Sequence, residues 1–489
     1  MRRDGHEGLR ARTTLLWCVV VCLVGFLAVG CSGTTRGEVQ TPTRPNIVFI
    51  VADDMRADDY EYMPQTRQLL TEGGTTFEEA FVTHSLCCPS RASILRGQYT
   101  HNHQVLNNAA PEGGFEKFRS MGHEDSTIAT WLQSEGYQTA LIGKYLNGYA
   151  RRADETHVPP GWDEWHAKLG GDGYYDYQLN ENGTVVQYGS DEQDYETDVL
   201  AGKAKDYARN AAGDSSPFFM YLAPSTPHGP FVPAPRHEDA YADLEAPQPP
   251  SFDEPDVDDK PEWVRDLPRL DSSEVEEVDN AYRNRLEMLL SLDEMVADLI
   301  EELRATGELE NTYVFFTSDN GYHLGEHRLK LGKRTVYEEA ARVPLAVRGP
   351  EVPTRQTVKQ TALNIDFAPT IAELAGTSAP DFVDGRSLTP LLSDTSPATW
   401  RSAFLLEHWD GGGGEPRQTP TYAAIRTGSD KYVEHAQGDE EFYDLSSDPY
   451  ELESLHASAD PALVESLRSR LEDLKACAGE SCREAENAP

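Results

Sequence analysis

Residues 46–54 read NIVFIVADD. An unbroken apolar run from Ile47 to Ala52, rich in β-branched side chains, is the pattern of a strand buried on both faces. It stops abruptly at Asp53-Asp54. Three further runs repeat the arrangement. Thr139–Gly143 (TALIG) stops at Lys144, and Pro217–Ala223 (PFFMYLA) continues through PSTPHGP to His228. Thr312–Thr317 (TYVFFT) stops at Ser318, Asp319, Asn320 and Gly321. Between the last two, Asn280–Ala305 carries Leu286, Leu289, Leu290, Met295, Val296, Leu299 and Ile300 near the helical period. Strands alternating with helices predict an α/β fold built on a large, mostly parallel sheet. Ligands of such sheets bind beyond the carboxyl ends of the strands, so the four polar clusters are expected to converge.

The chemistry of those ends is coherent. Asp53, Asp54, Asp319 and Asn320 offer only oxygen donors, which suits calcium or magnesium and not zinc. Lys144, His228 and Arg91 add positive charge and a titratable acid. A metal with cations around it suits an anionic, tetrahedral transferring group, sulfuryl or phosphoryl. Each motif also has a plain local reading, since Asp-Asp commonly caps a helix and Asp-Asn-Gly is a frequent turn. Turns alone do not require four strand ends to agree.

Composition narrows the partners. The 489 residues carry 43 Lys+Arg against 83 Asp+Glu, a net charge of −40. Such a field repels nucleic acid and anionic membrane surfaces, so no nucleic-acid partner is expected. The arginine-containing MRRDGHEGLRAR precedes the apolar or small run LLWCVVVCLVGFLAVG (15–30) and then Cys31. This resembles a bacterial lipoprotein signal, with residues 1–30 removed, Cys31 lipidated and 31–44 a flexible tether. An uncleaved membrane anchor and a plain signal peptide are the alternatives. All three imply export, and the first places the protein at the bacterial cell envelope, held to the membrane only through its lipid. In an oxidising compartment Cys477 and Cys482 (CAGESC) are expected to form a small disulfide loop.

Cys87 and Cys88 fit no such scheme. Adjacent Cα atoms about 3.8 Å apart fall below the disulfide range of about 4.4–6.8 Å. A zinc clip would want further soft ligands, and no CxxC partner exists. The surrounding CCPSRASILRG (87–97) instead resembles the type I sulfatase signature C-x-P-S-R-x-x-x-L-[ST]-G, departing from it only at Arg96. The stretches THNHQVLNN (100–108), GKYLNGY (143–149), HVPPGWDEW (157–165), YYDYQLNENG (174–183), SDNGYHLG (318–325), FYDLSSDPYEL (442–452) and CAGESCR (477–483) extend the likeness. They resemble the N-acetylglucosamine-6-sulfatase and extracellular endosulfatase branch.

The resemblance implies an alkaline-phosphatase-like sulfatase fold with a small C-terminal α+β subdomain, placed at 396–489 after a catalytic domain at 45–395. It implies that a maturation enzyme oxidises Cys87 to Cα-formylglycine, whose hydrate attacks sulfur, while Cys88 is a small buried side chain. Asp53, Asp54, Cys87, Asp319 and Asn320 then correspond to the ligands of one calcium ion. Arg91 corresponds to the residue orienting the formylglycine, Lys144 and Lys333 to sulfate-binding lysines, and His228 to the acid that protonates the leaving alcohol. Many sulfatases carry a histidine two residues after the first lysine, where this chain has Leu146. That departure leaves the general base unassigned, with His101, His103 and His323 as candidates for it or for substrate contact.

The Pro- and Asp-rich stretch within 233–275 reads as an irregular surface excursion. TYAAIRTGSDKYVEH (421–435) suggests paired strands, 461–475 a helix, and GGGG (411–414) a loop. The function implied is hydrolysis of sulfate esters of a sulfated sugar, N-acetylglucosamine-6-sulfate being the leading candidate. The acidic surface favours mono- or oligosaccharides over long polyanionic chains. The rivals are a phosphodiesterase or phosphonate monoester hydrolase, and a non-catalytic glycan-binding lipoprotein.

Overall fold

The computed structural model describes residues 44–150, 154–171, 173–393, 397, 399–410 and 419–488. The signal, the lipidation residue Cys31, nearly all of the tether and the GGGG loop lie outside them. Among the described residues no helix is long and apolar enough to cross a membrane.

One sheet of ten strands dominates. From edge to edge it runs Gln356–Val358, Thr75–Phe77, Leu345–Arg348, Thr312–Ser318, Asn46–Ala52, Phe218–Ala223, Gln138–Gly143, Glu164–Leu169, Gln178–Glu181 and Thr184–Gln187. The strand read first, Asn46–Ala52, lies at the centre and pairs in parallel with Thr312–Ser318 on one side and Phe218–Ala223 on the other. Gln138–Gly143 continues the parallel set. Antiparallel pairs occur away from this centre, at Leu345–Arg348 and in the Glu164–Gln187 meander.

Alternation along the central strand explains its uniform hydrophobicity. Ile47, Phe49 and Val51 enter one apolar cluster, with Ala92 and Leu95 of the Cys87–Arg96 helix and Phe367 and Ile371 of Phe367–Leu374. Val48, Ile50 and Ala52 enter the other, against the helices Glu196–Ala211 and Ser272–Thr306. Each face of the strand therefore needs an apolar side chain, and burying each is worth about 1.5–3 kcal/mol. The long helix starts at Ser272, earlier than its apolar repeat indicates. Asp271 caps it by accepting from the Ser273 and Glu274 amides at 2.9 Å, so the first turns need no buried stripe.

A separate antiparallel sheet follows, ordered Ala403–His408, Tyr422–Thr427, Asp430–His435 and Glu440–Asp444. The helix Pro461–Ala476 covers it with Val464, Leu467, Leu471 and Leu474. Cys477 and Cys482 beyond this helix are disulfide-bonded. The fold is thus the large sheet with flanking helices and small C-terminal antiparallel sheet that the resemblance implies.

The 233–275 stretch departs from expectation. It is mostly irregular, but Ser251, Glu254 and Lys260 are buried. The Lys260 ammonium donates to the Tyr443 hydroxyl at 3.2 Å and to the Glu451 carbonyl. A buried lysine needs such acceptors, so this segment is packed structure joining the small sheet.

Candidate active site

The four central strands are parallel, so their carboxyl ends lie along one edge of the sheet. Asp53-Asp54, Lys144, Asp319-Asn320 and the turn leading to His228 all emerge there. Two local features shape the edge. Asp54 sits in the left-handed region at φ 66°, a rare conformation for a side chain other than glycine, and its carbonyl accepts from buried Arg285 at 2.7 Å. Gly143, at φ 111°, passes so close to Ala223 that a Cβ would lie 2.1 Å from its carbonyl oxygen. Only glycine lets the strand end there and present Lys144.

Cys87 is fully buried at the first position of the helix Cys87–Arg96. Its sulfur lies 3.7 Å from Asp53 Oδ1 and 3.8 Å from Asp54 Oδ1, and the Lys333 ammonium donates to it at 2.9 Å. Lys144 pairs with Asp53 and Lys333 with Asp54. Arg91, one turn along the same helix, donates from Nε to Asp319 Oδ2 at 2.7 Å and from Nη1 to the Lys144 carbonyl at 3.0 Å. His228 Nδ1 donates to the Gly229 carbonyl at 2.5 Å, which leaves Nε2 3.7 Å from Asp54 Oδ2. Donor atoms of Asp53, Asp54, Cys87 and His228 lie within 4.8 Å of one another.

Electrostatics follow from this crowding. Burial alone would raise Asp53, but Lys144, His228, Arg91 and Lys333 outweigh it and hold the carboxyl well below its usual range. Asp54 is lowered in the same way, burial being offset chiefly by Lys333 and His228. Asp319 is raised, by burial and by the Asp53 charge. Burial pushes the Cys87 thiol up to about 12 in spite of both lysines. At neutral pH the sulfur is a protonated thiol and a poor nucleophile.

The residues fit a hard cation. Asp53, Asp54 and Asp319 crowd one another, and the Asn320 amide donates to Asp54 Oδ1 at 2.8 Å. Its buried Oδ1 has no hydrogen-bond partner, as expected of an oxygen reserved for an ion.

Of the histidines named from sequence, His228 joins the cluster and the other three lie in hydrogen-bond networks outside it. His103 is fully buried, accepting from the Val105 amide at 3.1 Å and pairing with Ser93 Oγ at 3.0 Å. His323 is equally buried and bonds Thr335 Oγ1 at 2.6 Å. Neither side chain belongs to the group gathered around Cys87. His101 binds Glu407 Oε2 at 2.9 Å and the Cys477 carbonyl at 3.0 Å. Both ring nitrogens face acceptors, and the ring's pKa is raised to about 9, so it is a poor candidate base.

Cys88 packs in the apolar cluster, as expected of a small buried side chain. Arg96, the irregular letter of the signature, has a local job. It donates to Gln98 Oε1 at 2.8 Å and to the Ser126 carbonyl at 2.7 Å, with its guanidinium 4.4 Å above Phe382. Arg285 was not singled out from sequence. It lies on a helix whose buried stripe reads as plain core, and only its charge within that stripe marks it.

The family described as Sulfatase matches residues 45–377, and that described as N-sulphoglucosamine sulphohydrolase, C-terminal matches 325–477. The N-acetylglucosamine-6-sulfatase of Capra hircus is 36% identical over 490 aligned positions, covering 93% of this chain and 87% of that protein. A solved structure in complex with its substrate D-glucosamine-2-N,6-O-disulfate superposes with a TM-score of 0.76 at 26% identity, covering 91% of this chain and 99% of that one. The phosphonate monoester hydrolase of Silicibacter pomeroyi superposes with a TM-score of 0.69 at 25% identity, covering 87% and 93%. With the signature at the buried helix start and the carboxylates arrayed against it, the chain belongs to the sulfatase family and is a sulfuric ester hydrolase.

Proposed function

We propose that this chain is an exported, calcium-dependent sulfatase that uses Cys87 as formylglycine to remove sulfate from a sulfated mono- or oligosaccharide. N-Acetylglucosamine-6-sulfate is the leading candidate substrate. The observation that carries the reading is the convergence of Lys144, Lys333 and His228 on the start of the Cys87 helix, against the Asp53-Asp54 carboxylates. An anion arriving there meets two ammonium groups and the positive end of a helix. The choice of substrate is supported by the likeness to the Capra hircus N-acetylglucosamine-6-sulfatase and to the solved structure holding D-glucosamine-2-N,6-O-disulfate.

Asp53, Asp54, Asp319, Asn320 and the oxidised side chain of residue 87 would hold the calcium ion. That ion would supply charge neutralisation at the sulfate oxygens and at the nucleophile. The hydrated formylglycine would supply one hydroxyl to attack sulfur and a second whose deprotonation lets the sulfate leave by C–O cleavage. Arg91 fixes the helix start against Asp319. Lys144 and Lys333 balance the sulfate charge. His228 Nε2, with Nδ1 held by the Gly229 carbonyl, gives its proton to the departing sugar oxygen.

The test is hydrolysis by protein produced with and without a formylglycine-generating enzyme. Release of sulfate from N-acetylglucosamine-6-sulfate should require maturation and should fall to background in Cys87→Ala. The phosphonate monoester hydrolase neighbour sets the contrast. A higher kcat/KM on aryl phosphonates or phosphodiesters than on sulfates would overturn the assignment. So would full activity in Cys87→Ala.

A further inference from the structure

A second cluster of metal-binding side chains lies apart in composition from the Cys87 group. It consists of His327, Glu339 and Glu451, one donor atom of each lying within 4.8 Å of the others. His327 is fully buried, and its ring is fixed twice. Nδ1 faces Glu254 Oε2 at 2.8 Å, and the imidazole stacks on Tyr337 with centroids 4.1 Å apart. When Glu254 is ionised it keeps the proton on Nδ1 and leaves the lone pair of Nε2 free, as carboxylates behind metal-binding histidines do. That Nε2 is buried and has no hydrogen-bond partner.

Glu339 Oε2 is likewise enclosed and without a partner, while its Oε1 faces Ser251 Oγ at 3.4 Å. Glu451 accepts from Lys431 at 2.7 Å on Oε1 and from the Glu338 amide at 2.9 Å on Oε2. Each of its oxygens retains a second lone pair. Two unsatisfied buried acceptors on side chains this close together are costly unless a cation or proton serves them. Glu339 also lines a cavity of about 480 Å³, with Arg56, Asp58, Pro249 and Tyr450.

We propose that His327, Glu339 and Glu451 form a second metal site, selective for a borderline divalent cation, Zn²⁺. One imidazole nitrogen with two carboxylates favours it over calcium or magnesium, and water completes the coordination. The site has a structural purpose. Lys333 lies between His327 and Glu339 in the chain, so the ion ties both ends of the segment that delivers this lysine to Cys87. Within that segment His327, Arg328 and Arg334 adopt φ of 52°, 63° and 82°, conformations that persist only when their surroundings impose them. Glu451 brings in the chain beyond the small sheet, and Glu254 the buried part of the 233–275 stretch.

The experiment uses the full chain, stripped with EDTA, returned to excess Ca²⁺ and titrated with Zn²⁺ alone by calorimetry, with bound zinc counted by mass spectrometry. Wild type should retain about one Zn²⁺ per chain and melt at a higher temperature when loaded. Asp53→Asn should bind zinc as tightly as wild type, which separates this site from the strand-end carboxylates. Glu339→Gln, a near-isosteric change beside the cavity, should weaken zinc at least tenfold and abolish the thermal shift. His327→Gln should do the same, and if it fails to fold, Glu339→Gln decides alone. Absence of zinc binding by wild type would overturn the proposal in favour of a shared proton. Unchanged affinity in folded Glu339→Gln would overturn it too.

Discussion

At Cys87 and His228 the division of labour is set by what each atom faces. The Cys87 sulfur faces Lys333 and two carboxylates, and His228 Nε2 faces Asp54 with its other nitrogen committed to a carbonyl. A proton on Nε2 matters most when the leaving oxygen is a poor leaving group. His228→Asn should therefore slow a sugar sulfate by about 10²–10³-fold, within the usual worth of general acid catalysis. Hydrolysis of 4-nitrophenyl sulfate, whose phenolate leaves unaided, should slow less than about tenfold. Equal losses on both substrates would assign His228 to positioning instead. Beneath them Arg285 holds the Asp53-Asp54 turn, its guanidinium bonded to the Asp54 carbonyl and to Asp59 Oδ2 at 2.9 Å.

Among the elements, the short helix Thr100–His103 is where the small sheet grips the catalytic half. His101 bridges Glu407 of the Ala403–His408 strand and the carbonyl of Cys477. Burial lowers its pKa, but Glu407 and the Cys477 carbonyl outweigh burial and raise it from 6.5 to about 9. A raised base stabilises the fold fully below the unfolded value and loses that contribution as pH climbs through the folded one. The bridge should thus fade between pH 6.5 and about 9, with an upper limit of about 3 kcal/mol. Urea unfolding across that range should show wild type losing stability relative to His101→Gln. Parallel curves would remove the bridge from the account.

The same elements show what was legible in the chain. Runs such as NIVFIVADD announce a strand buried on both faces and its polar end, because burial and chemistry sit next to each other in sequence. Lys333 is different. It comes from an irregular segment with no period to read, and only the signature-level likeness pointed to it. His101, His103 and His323 look equivalent as letters, and their separation from His228 depends on partners such as Glu407 and Ser93. The 233–275 stretch reads as surface because proline and aspartate are common there, whereas the burial of Lys260 is decided by Tyr443 and Glu451 far along the chain.

For the whole molecule, charge is the governing quantity. With −40 overall, a sulfate group must reach Lys144 and Lys333 through a repulsive field that grows with the number of sulfates on the substrate. Raising ionic strength from about 0.01 M to 0.15 M shortens the screening length from about 30 Å to about 8 Å. Hydrolysis of long sulfated chains should accelerate with salt over that range, while a monosulfated sugar should change little. A chain substrate slowed by salt would instead reveal a local basic track that overrides the net charge.

The burial of Cys87 also imposes an order in time. In the finished fold its sulfur is sealed beneath Lys333, Asp53 and Asp54, which come from places in the chain as far apart as residues 53 and 333. A modifying enzyme that must grasp the residues around Cys87 cannot do so once those distant segments have closed. On the proposed chemistry the oxidation precedes folding, so the cell commits each copy to activity or inactivity before the native state exists. On that same chemistry a chain that folds first would keep its Cys87 thiol and lack the nucleophile.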